Sequence, residues 1–310
     1  MIVVLAGGSG FLGRALGHHF RGTGHTVRTL TRRPPASPGE VQWLPDGTSG
    51  PWSAALADAD VVINLAAEGI ADKRWNAARK QALRTSRILP ARSITRALGD
   101  VPARPRLLIS VSAVGYYGPR GDEPIGEDTG PGDDFLARIC VEWEQEAAAA
   151  ASATTRVALV RTGIVLHPDG GALRAMLLPF RLGVGGPLGN GRQYWAWIHL
   201  DDWVALVAWL AASPTVTTSG NGRGLHDQVT IWNATAPVPV TNAAFSRALG
   251  RVLRRPAFLP APAFALRIAL GEFSQFLITG ARVIPAHAER AGFRFRFPEI
   301  EPALRDLLTG

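Results

Sequence analysis

The sequence predicts an α/β protein in which a doubly wound parallel sheet is joined to a smaller C-terminal region. Two observations lead to this fold class. Apolar, β-branched runs of strand length alternate with segments of helical periodicity up to residue 166. A glycine-rich turn directly follows the first of these runs and opens the first helical segment. Beyond residue 170, glycine- and proline-rich connections separate shorter elements, which indicates a different organisation in the second half.

The predicted elements of the first half follow one another regularly. Continuous apolar runs predict strands at 1–7, 25–31, 61–67, 106–115 and 156–166. Helical spacing of apolar residues predicts helices at 11–24, 74–99 and 133–151. Because strands that are apolar throughout are covered on both faces, we expect the sheet to be parallel, with helices packed on either side.

The chain is predicted to divide near residue 170. Residues 1–170 would form the core that carries the sheet, and residues 171–310 a mixed region on the substrate side. Within that second region, 188–235 is expected to return to the core and 250–300 to form a small C-terminal domain.

Shorter elements are predicted in the second half. They are loops at 183–193 and 213–224, strands at 194–200 and 294–297, and helices at 201–212 and, after a proline-rich strand end, within 234–253. Asp201 or Asp202 is expected to cap the helix that starts there, because a carboxylate accepts hydrogen bonds from first-turn amides. Periodicity favours core packing over stacking on a planar substrate for Trp195, Trp197, Trp203 and Trp209.

Composition indicates a soluble, cytoplasmic protein. No apolar run reaches the roughly 18 residues that span a bilayer, so we expect no membrane partner. Cys140 is the only cysteine, which excludes an internal disulfide and fits a reducing compartment. The net charge is +8, but the basic residues are spread along the chain, so we expect no nucleic-acid partner.

The glycine-rich turn "GGSGFLG" predicts a dinucleotide site. Gly7, Gly10 and Gly13 follow the first strand and open the first helix. Glycines permit the tight turn and a close approach of the backbone to a pyrophosphate, while the helix N-terminus supplies unpaired amides. The sequence therefore predicts a Rossmann-type fold. The remaining predicted cofactor contacts on this turn are Ser9, Phe11 and Leu12.

The end of the second strand indicates which dinucleotide is bound. An NAD site usually ends this strand with an acidic residue that holds the ribose hydroxyls. Here the strand ends in "TLTRR", which offers Thr31, Arg32 and Arg33 and no acid. A guanidinium pairs well with a 2′-phosphate, so the predicted cofactor is NADP(H), with Thr31 and Arg32 as contacts. The alternative is a solvated arginine pair.

The motifs together resemble a known family. They include "GGSGFLG", "LTRR", "VINLAAEGIADKRW", "SVSAVGYYG", "GDDFLARICVEWE", "RTGIVL", "FRLGVGGPLGNGRQ", "WIHLDD" and "ITGARVIPAHAERAGFRFRFP", and they run from end to end. The chain resembles the extended short-chain dehydrogenase/reductase superfamily. Within it, the chain is similar to the sugar-nucleotide-epimerase-like members that carry a small C-terminal domain of unknown function.

The resemblance implies further site residues. Leu65 and Ala66, at the end of the third apolar strand, would line the adenine and ribose side of the cofactor. Arg87, on the long helix, would approach the cofactor. The loop "GGPLGNGRQ" matches a segment that closes over the substrate, which makes Arg192 and Gln193 predicted substrate contacts; an ordinary surface loop is the alternative.

The chain departs from the family at the catalytic pair. A typical enzyme of this superfamily combines a serine with Tyr-x-x-x-Lys, in which the tyrosine exchanges a proton and the lysine lowers its pKa. The only tyrosines are Tyr116, Tyr117 and Tyr194, and no lysine lies four residues after any of them. Where the pair is expected, the helix reads "DDFLARICVEWE".

Ser112, Tyr116 and Tyr117 are the candidate catalytic residues. Ser112 lies at the end of the fourth predicted strand, where the catalytic serine of the family belongs, and the tyrosines follow closely. Parallel sheets bind ligands outside the carboxyl ends of their strands, so all three are expected at the cofactor crevice. They could form a rearranged site with a cation such as Arg120 or Arg161 nearby. The tyrosines could equally pack their rings and hydrogen-bond their hydroxyls.

Other polar clusters carry weaker signals. His199 with Asp201 and Asp202 could be a base with an orienting carboxylate or a metal cluster, but acid pairs before a helix are usually caps. The histidines show no metal-ligand spacing, so we expect no metal. The cations of 74–87 could bind an acidic substrate or form a solvated helix face.

The function predicted from these features is an NADP(H)-binding oxidoreductase or epimerase. Its substrate would be a small carbonyl or hydroxyl compound, with a sugar nucleotide among the candidates. The alternative, which the missing Tyr/Lys pair motivates, is a non-catalytic redox sensor or scaffold that responds to NADP(H). The sequence leaves the oligomeric state open.

Overall fold

The computed structural model describes residues 1–213 and 228–309. Its strands are β1 (Ile2–Ala6), β2 (Thr26–Thr31), β3 (Glu40–Gln42), β4 (Val61–Asn64), β5 (Leu107–Ala113), β6 (Pro124–Ile125), β7 (Arg156–Thr162), β8 (Ile164–Leu166), β9 (Tyr194–Trp195), β10 (Trp197–His199), β11 (Val229–Ala234), β12 (Val240–Thr241) and β13 (Arg282–Val283). Its α-helices are α1 (Phe11–Gly22), α2 (Ala77–Asp100), α3 (Phe135–Ala148), α4 (Gly171–Arg181), α5 (Leu200–Ala212), α6 (Asn242–Leu253), α7 (Ala263–Leu270), α8 (Ser274–Ile278), α9 (Ala286–Arg290) and α10 (Ile300–Thr309). Short 3₁₀ turns lie at Pro51–Leu56, Val114–Tyr117 and Gly271–Phe273.

Seven strands form one parallel sheet in the order β11-β7-β5-β4-β1-β2-β3. One face packs on α1 and α5, with Leu16 and Trp203 in the core against Leu5. The other face packs on α2 and α3, through Ile94 and Ala147. Two helical layers around a parallel sheet confirm the predicted fold class. The arrangement collects the loops that follow the strands at one edge of the sheet.

The apolar run at 156–166 forms two strands rather than the single strand that was predicted. The break falls at Gly163, where a Cβ would lie 2.5 Å from the carbonyl oxygen of Ala196. Only glycine permits this close approach. The chain therefore leaves the main sheet after β7, and β8 pairs in parallel with β10 instead.

Two expectations around α5 are wrong, and the hydrogen bonds of His199 and Asp202 explain them. The N-cap of α5 is His199, whose Nδ1 accepts a hydrogen bond from the amide of Asp201 at 3.0 Å. The Asp202 carboxylate instead accepts from the amides of Arg296 and Phe297, both at 2.8 Å. Because those amides bond to a side chain, the predicted strand at 294–297 is an irregular segment fixed to α5.

The second half of the chain adds a third apolar cluster beside the sheet. It joins α4, α6 and α10 through residues such as Leu177, Phe245 and Leu304. The predicted core positions of Trp195, Trp197 and Trp203 are confirmed, since all three are buried. Of the loop predicted at 213–224, all but Ser213 lies outside the described residues. Among the helices of the described ranges, none combines the length and the apolarity needed to cross a bilayer.

Candidate functional site

The glycine turn presses the start of α1 against the end of β1. Gly7 has φ +82°, and a Cβ there would lie 2.9 Å from the amide nitrogen of Ala66. A Cβ on Gly13 would lie 2.4 Å from the carbonyl oxygen of Gly7, to which the Gly10 amide donates at 3.0 Å. Side chains are therefore excluded from this turn, and its surface is backbone.

The N-terminus of α1 is open to an anion. Gly10 is the N-cap and offers no side chain, and the first turn contains no acidic residue. The unpaired amides and the positive end of the helix dipole favour a phosphate at this position. Ser9 is exposed, and its carbonyl accepts a hydrogen bond from Arg14 at 2.6 Å. Phe11 packs on the start of α4, where a Cβ on Gly170 would lie 2.6 Å from its ring.

A groove of about 580 Å³ runs from the glycine turn along the end of β2. It is lined by Gly8, Ser9, Gly13, Arg14, Gly17, His18, Arg21, Gly22, Thr29, Thr31 and Glu40. Glu40 is the single acid in this lining, and its carboxylate accepts from the amide of Ala36 at 2.7 Å. Arg32 follows Thr31, is exposed, and has no ion-pair partner within the described ranges.

The end of β4 lies directly beneath the glycine turn. Leu65 and Ala66 are the residues that a Cβ on Gly7 would strike. Asn64 is buried, and its Oδ1 accepts from the amide of Ala66 at 3.2 Å. Its Nδ2 has no hydrogen-bond partner among the residues that the structure describes. A buried donor without a partner marks this strand end as a place for a ligand atom.

Arg87 ties the loop after β4 to α2. Its guanidinium donates to the carbonyls of Glu68 and Leu83, each at 2.9 Å. Burial lowers the pKa of Arg87. Its guanidinium carbon lies 5.6 Å from the centre of the Trp143 ring. Arg87 therefore lies between the loop after β4 and helix α3, with most of its hydrogen-bonding capacity spent on the chain itself.

Ser112 occupies the carboxyl end of β5, the central strand of the crevice. The side chain is buried, and its Oγ makes no hydrogen bond of normal geometry to any described residue. The Cys140 thiol from α3 lies beside it. Burial raises the pKa of that thiol to about 12, and the negative charge of Glu144 adds to the effect. Cys140 is therefore a neutral group at neutral pH.

Helix α3 contains neither tyrosine nor lysine. Leu136 and Cys140 lie one turn apart on α3, and a Cβ on Gly115 would be 3.5 Å from Leu136. Their spacing equals that of Tyr-x-x-x-Lys. The sequence located the segment but could not select the positions, because the register of α3 against β5 is set by tertiary packing.

The two neighbouring tyrosines have different environments. Tyr117 is fully buried; its hydroxyl donates to Oδ1 of Asn233 at 2.8 Å and accepts from Arg161 at 3.0 Å. Burial raises the pKa of Tyr117 to about 12, against the opposing influence of Arg161. Tyr116 is half-buried, and its hydroxyl makes no hydrogen bond with the described part of the chain. Of these two tyrosines, Tyr116 is the one whose hydroxyl has no partner among the described residues.

A buried ion pair supports both rings. Arg161 on β7 donates to the two carboxylate oxygens of Glu144 on α3 at 2.9 and 2.8 Å. Its guanidinium carbon lies 3.3 Å from the centre of the Tyr116 ring. Burial by itself would lower the pKa of Arg161, but the bonds to Glu144 raise it overall. An arginine within an otherwise apolar strand was the sequence signal for this pair.

The predicted substrate residues lie on the loop before β9. Arg192 is exposed, and its amide donates to Oδ1 of Asn190 at 3.0 Å. Gln193 donates through Nε2 to the carbonyls of Leu188 and Leu277, at 3.1 and 2.9 Å. The Oε1 of Gln193 is buried without a partner in the described ranges. The side chain of Gln193 thus connects the loop to α8, and its Oε1 remains as an acceptor without a described partner.

The cluster of His199, Asp201 and Asp306 has the geometry of a helix cap. Their ligand-type atoms lie within 4.8 Å of one another. Nδ1 of His199 accepts from the Asp201 amide, so Nε2 carries the proton and faces Asp306 at 3.3 Å. Arg296 already lies 3.7 and 3.8 Å from the two carboxylates. Burial lowers the pKa of His199, which keeps the ring neutral.

Comparisons with known proteins agree with this fold. Residues 3–221 match the NAD dependent epimerase/dehydratase family, and residues 261–307 match a domain of unknown function, DUF1731. The chain therefore belongs to the NAD dependent epimerase/dehydratase family. It is 43% identical over 305 residues to the Epimerase family protein Mb2239 of Mycobacterium bovis, covering 98% of this chain and 96% of the relative.

Two solved structures are similar over the full chain. The human epimerase family protein SDR39U1, solved with NADPH, has a TM-score of 0.88 and 33% identity and covers 100% of this chain and 99% of its own. A nucleoside-diphosphate sugar epimerase from Corynebacterium glutamicum has a TM-score of 0.76 and 32% identity, covering 99% of this chain and 58% of its own. The predicted family and C-terminal domain are thus confirmed, as is the nicotinamide class of cofactor.

Proposed function

We propose that this chain is an NADP(H)-dependent oxidoreductase or epimerase that acts on a small carbonyl or hydroxyl compound. The observation that carries the proposal is a pair of hydroxyl groups that form no hydrogen bond of normal geometry with a described residue. These are the buried Oγ of Ser112 and the hydroxyl of Tyr116, at the carboxyl end of the central strand. Ligands of parallel α/β sheets bind at such strand ends.

The residues present fit a nicotinamide dinucleotide phosphate. The backbone of the glycine turn at Gly7, Gly10 and Gly13 and the open N-terminus of α1 would hold the pyrophosphate. Further contacts on this turn would come from Ser9, Phe11 and Leu12. When bound, the cofactor supplies or accepts a hydride at C4 of its nicotinamide.

The end of β2 supports the phosphorylated form of the cofactor. Arg32 is exposed beside Thr31, and no described residue neutralises its charge. A guanidinium of this kind pairs with the 2′-phosphate through charge-assisted hydrogen bonds. The human relative was solved with NADPH. Leu65 and Ala66 would border the adenosine half, and Arg87 would fix the loop that follows them.

In the proposed mechanism, Ser112 binds the reacting oxygen and Tyr116 moves the proton. The Ser112 hydroxyl donates a hydrogen bond to the substrate oxygen, and the free Tyr116 hydroxyl gives a proton to that oxygen or takes one from it. Arg161 fixes the Tyr116 ring from below, since its guanidinium lies on the ring face. We assign Tyr117 a positioning role, because its hydroxyl both donates and accepts a hydrogen bond within the protein core.

The substrate side of the site would be formed by the 171–310 region. Arg192 would meet an anionic group, and the free Oε1 of Gln193 would accept a hydrogen bond from a substrate hydroxyl. The Corynebacterium relative is described as a nucleoside-diphosphate sugar epimerase, and a sugar nucleotide offers both kinds of group. This chemistry supports a sugar nucleotide as the first substrate class to assay.

The test is NADPH consumption with a panel of sugar nucleotides and small carbonyl compounds. Tyr116→Phe should lower kcat at least about 100-fold on any substrate found, because loss of general acid catalysis has that size. Tyr117→Phe is the matched control and should retain kcat within about threefold per folded molecule. Loss of turnover in Tyr117→Phe with retention in Tyr116→Phe would contradict these assignments.

A second candidate function is a non-catalytic sensor of NADP(H). Leu136 and the neutral thiol of Cys140, at the positions of the usual pair, favour it. It predicts tight NADPH binding without turnover on the whole panel, together with a partner protein whose binding depends on the cofactor. Turnover that is lost in Ser112→Ala would exclude it.

A further inference from the structure

Large apolar side chains are exposed on one part of the surface. We define the apolar face as Leu178 on α4, Leu182 and Val184 directly after it, Phe258, and Phe264 and Ile268 on α7. Phe258 is 74% exposed and Ile268 is 72% exposed. Helix α7 contains no fully buried residue, and Phe264 and Ile268 project to its exposed side while Leu270 packs against the core. A cluster of this kind marks an interaction surface.

The apolar face is continuous across two segments of the chain. The loop after α4 runs beside 256–261, where the Ala261 amide donates to the carbonyl of Pro187 at 2.8 Å. A Cβ on Gly183 would lie 3.6 Å from the Pro256 ring, which brings the end of α4 against the same stretch. Helix α7 begins two residues after Ala261. The exposed residues therefore share one side of the molecule.

The same segments carry the whole net charge of the chain. Residues 170–200 and 228–271 contain eight arginines and no aspartate or glutamate, whereas outside them basic and acidic residues number 25 each. Arg247, Arg254 and Arg255 line a concave surface of about 430 Å³ beside Phe258. No acid of the described ranges forms an ion pair with these three. Cations thus border the apolar face.

This charge distribution indicates what kind of partner binds to the apolar face. A second copy docked through the same face would bring arginine against arginine in a symmetric contact, which is unfavourable. An anionic surface complements the arginines. Three of the six apolar side chains, Leu178, Phe264 and Ile268, project from helices, and aromatic and aliphatic residues flanked by arginines are typical of lipid interfaces.

We propose that the apolar face docks on an anionic lipid surface. Helix α7 lies in the plane of the interface with Phe264 and Ile268 among the acyl chains, and Arg247, Arg254 and Arg255 contact lipid phosphates. That no described helix is long and apolar enough to cross a bilayer concerns insertion and does not bear on surface binding. The proposal is independent of the catalytic assignments.

The test is co-sedimentation of the full chain with vesicles of equal parts phosphatidylglycerol and phosphatidylcholine. The protein should sediment with these vesicles and not with pure phosphatidylcholine, and added salt should weaken binding. Phe264→Ser/Ile268→Ser should lower the partition coefficient at least about tenfold, because two buried apolar side chains are lost. Arg254→Glu/Arg255→Glu should have an effect of about the same size.

Matched controls use equally exposed residues elsewhere. Leu44→Ser and Arg104→Glu/Arg294→Glu lie off the apolar face and should leave vesicle binding within about twofold, with thermal unfolding confirming that every variant folds. Absence of wild-type binding to acidic vesicles would overturn the proposal. So would equal losses in the controls, or a self-associated wild type that Phe264→Ser/Ile268→Ser turns into monomers in ultracentrifugation.

Discussion

The two ends of the predicted cofactor crevice differ in how much of the family's chemistry they retain. At the pyrophosphate end, Gly7 and Gly13 keep the close backbone approach that the turn requires. At the reaction end, the spacing of the usual pair is occupied by Leu136 and Cys140, while Ser112 stays at its strand end. The chain thus keeps the glycine turn of a dinucleotide site and lacks the Tyr-x-x-x-Lys pair at the end where we propose the reaction.

The difference shows what each end depends on. The pyrophosphate end consists of backbone atoms. Its close backbone packing requires glycine at particular positions, and these positions can be identified in the sequence. The reaction end depends on side chains held by a buried ion pair, in which Arg161 fixes Tyr116 and Glu144 fixes Arg161. Substitutions at the two ends should therefore fail in different ways, with loss of cofactor binding at one end and loss of stability or turnover at the other.

The largest expected effect is at the ion pair beneath the reaction end. Arg161→Met leaves the Glu144 carboxylate buried without its partner, which should lower the free energy of unfolding by about 3–5 kcal/mol. Urea denaturation measures this loss. The double variant Arg161→Met/Glu144→Leu removes both charges and should recover most of the stability. A double variant as unstable as the single one would show that the pair acts through something other than charge.

The next effect is at the pyrophosphate end. Gly13→Val places carbon atoms where the carbonyl oxygen of Gly7 lies, so NADPH binding should weaken at least about 100-fold. Gly99→Ala on α2 is the control, because nothing lies within 4 Å of its Cβ position and it does not line the groove, and it should bind NADPH like the wild type. Calorimetric titration gives both constants. Unchanged affinity in Gly13→Val would mean that the cofactor does not use this turn.

A smaller effect is expected in how the free energy of unfolding depends on pH at Tyr117. The pKa of Tyr117 is raised to about 12, so the folded state keeps its proton while an unfolded chain would lose it near pH 10. The stabilisation is complete below pH 10 and is lost as the pH rises toward 12, by about 2 kcal/mol. Tyr117→Phe should flatten this alkaline decline in urea denaturation, and Tyr116→Phe should not. An identical decline in all three proteins would contradict the assignment.

The sequence predicted the sheet and the glycine turn because both are local. The periodicity of a strand and the spacing of glycines are both visible within a single segment of sequence. The observed turn between β1 and α1 has the glycine positions and the conformation that the spacing predicted. The separate roles of Tyr116 and Tyr117 were not predictable, because they depend on Asn233, which lies more than a hundred residues away. The strand predicted at 294–297 is absent for the same reason. The Asp202 carboxylate on α5 accepts hydrogen bonds from two backbone amides of this segment, which are then not available for strand pairing.

The most direct test of the account is the preference of the wild-type chain between NADPH and NADH. Arg32 is exposed at the end of β2 and free of ion pairs with described residues, so NADPH should bind at least about tenfold more tightly than NADH. In Arg32→Ala, NADPH should weaken to the level of NADH while NADH binding stays unchanged. A wild type that binds neither nucleotide, or an Arg32→Ala variant that keeps the full preference for NADPH, would contradict the account.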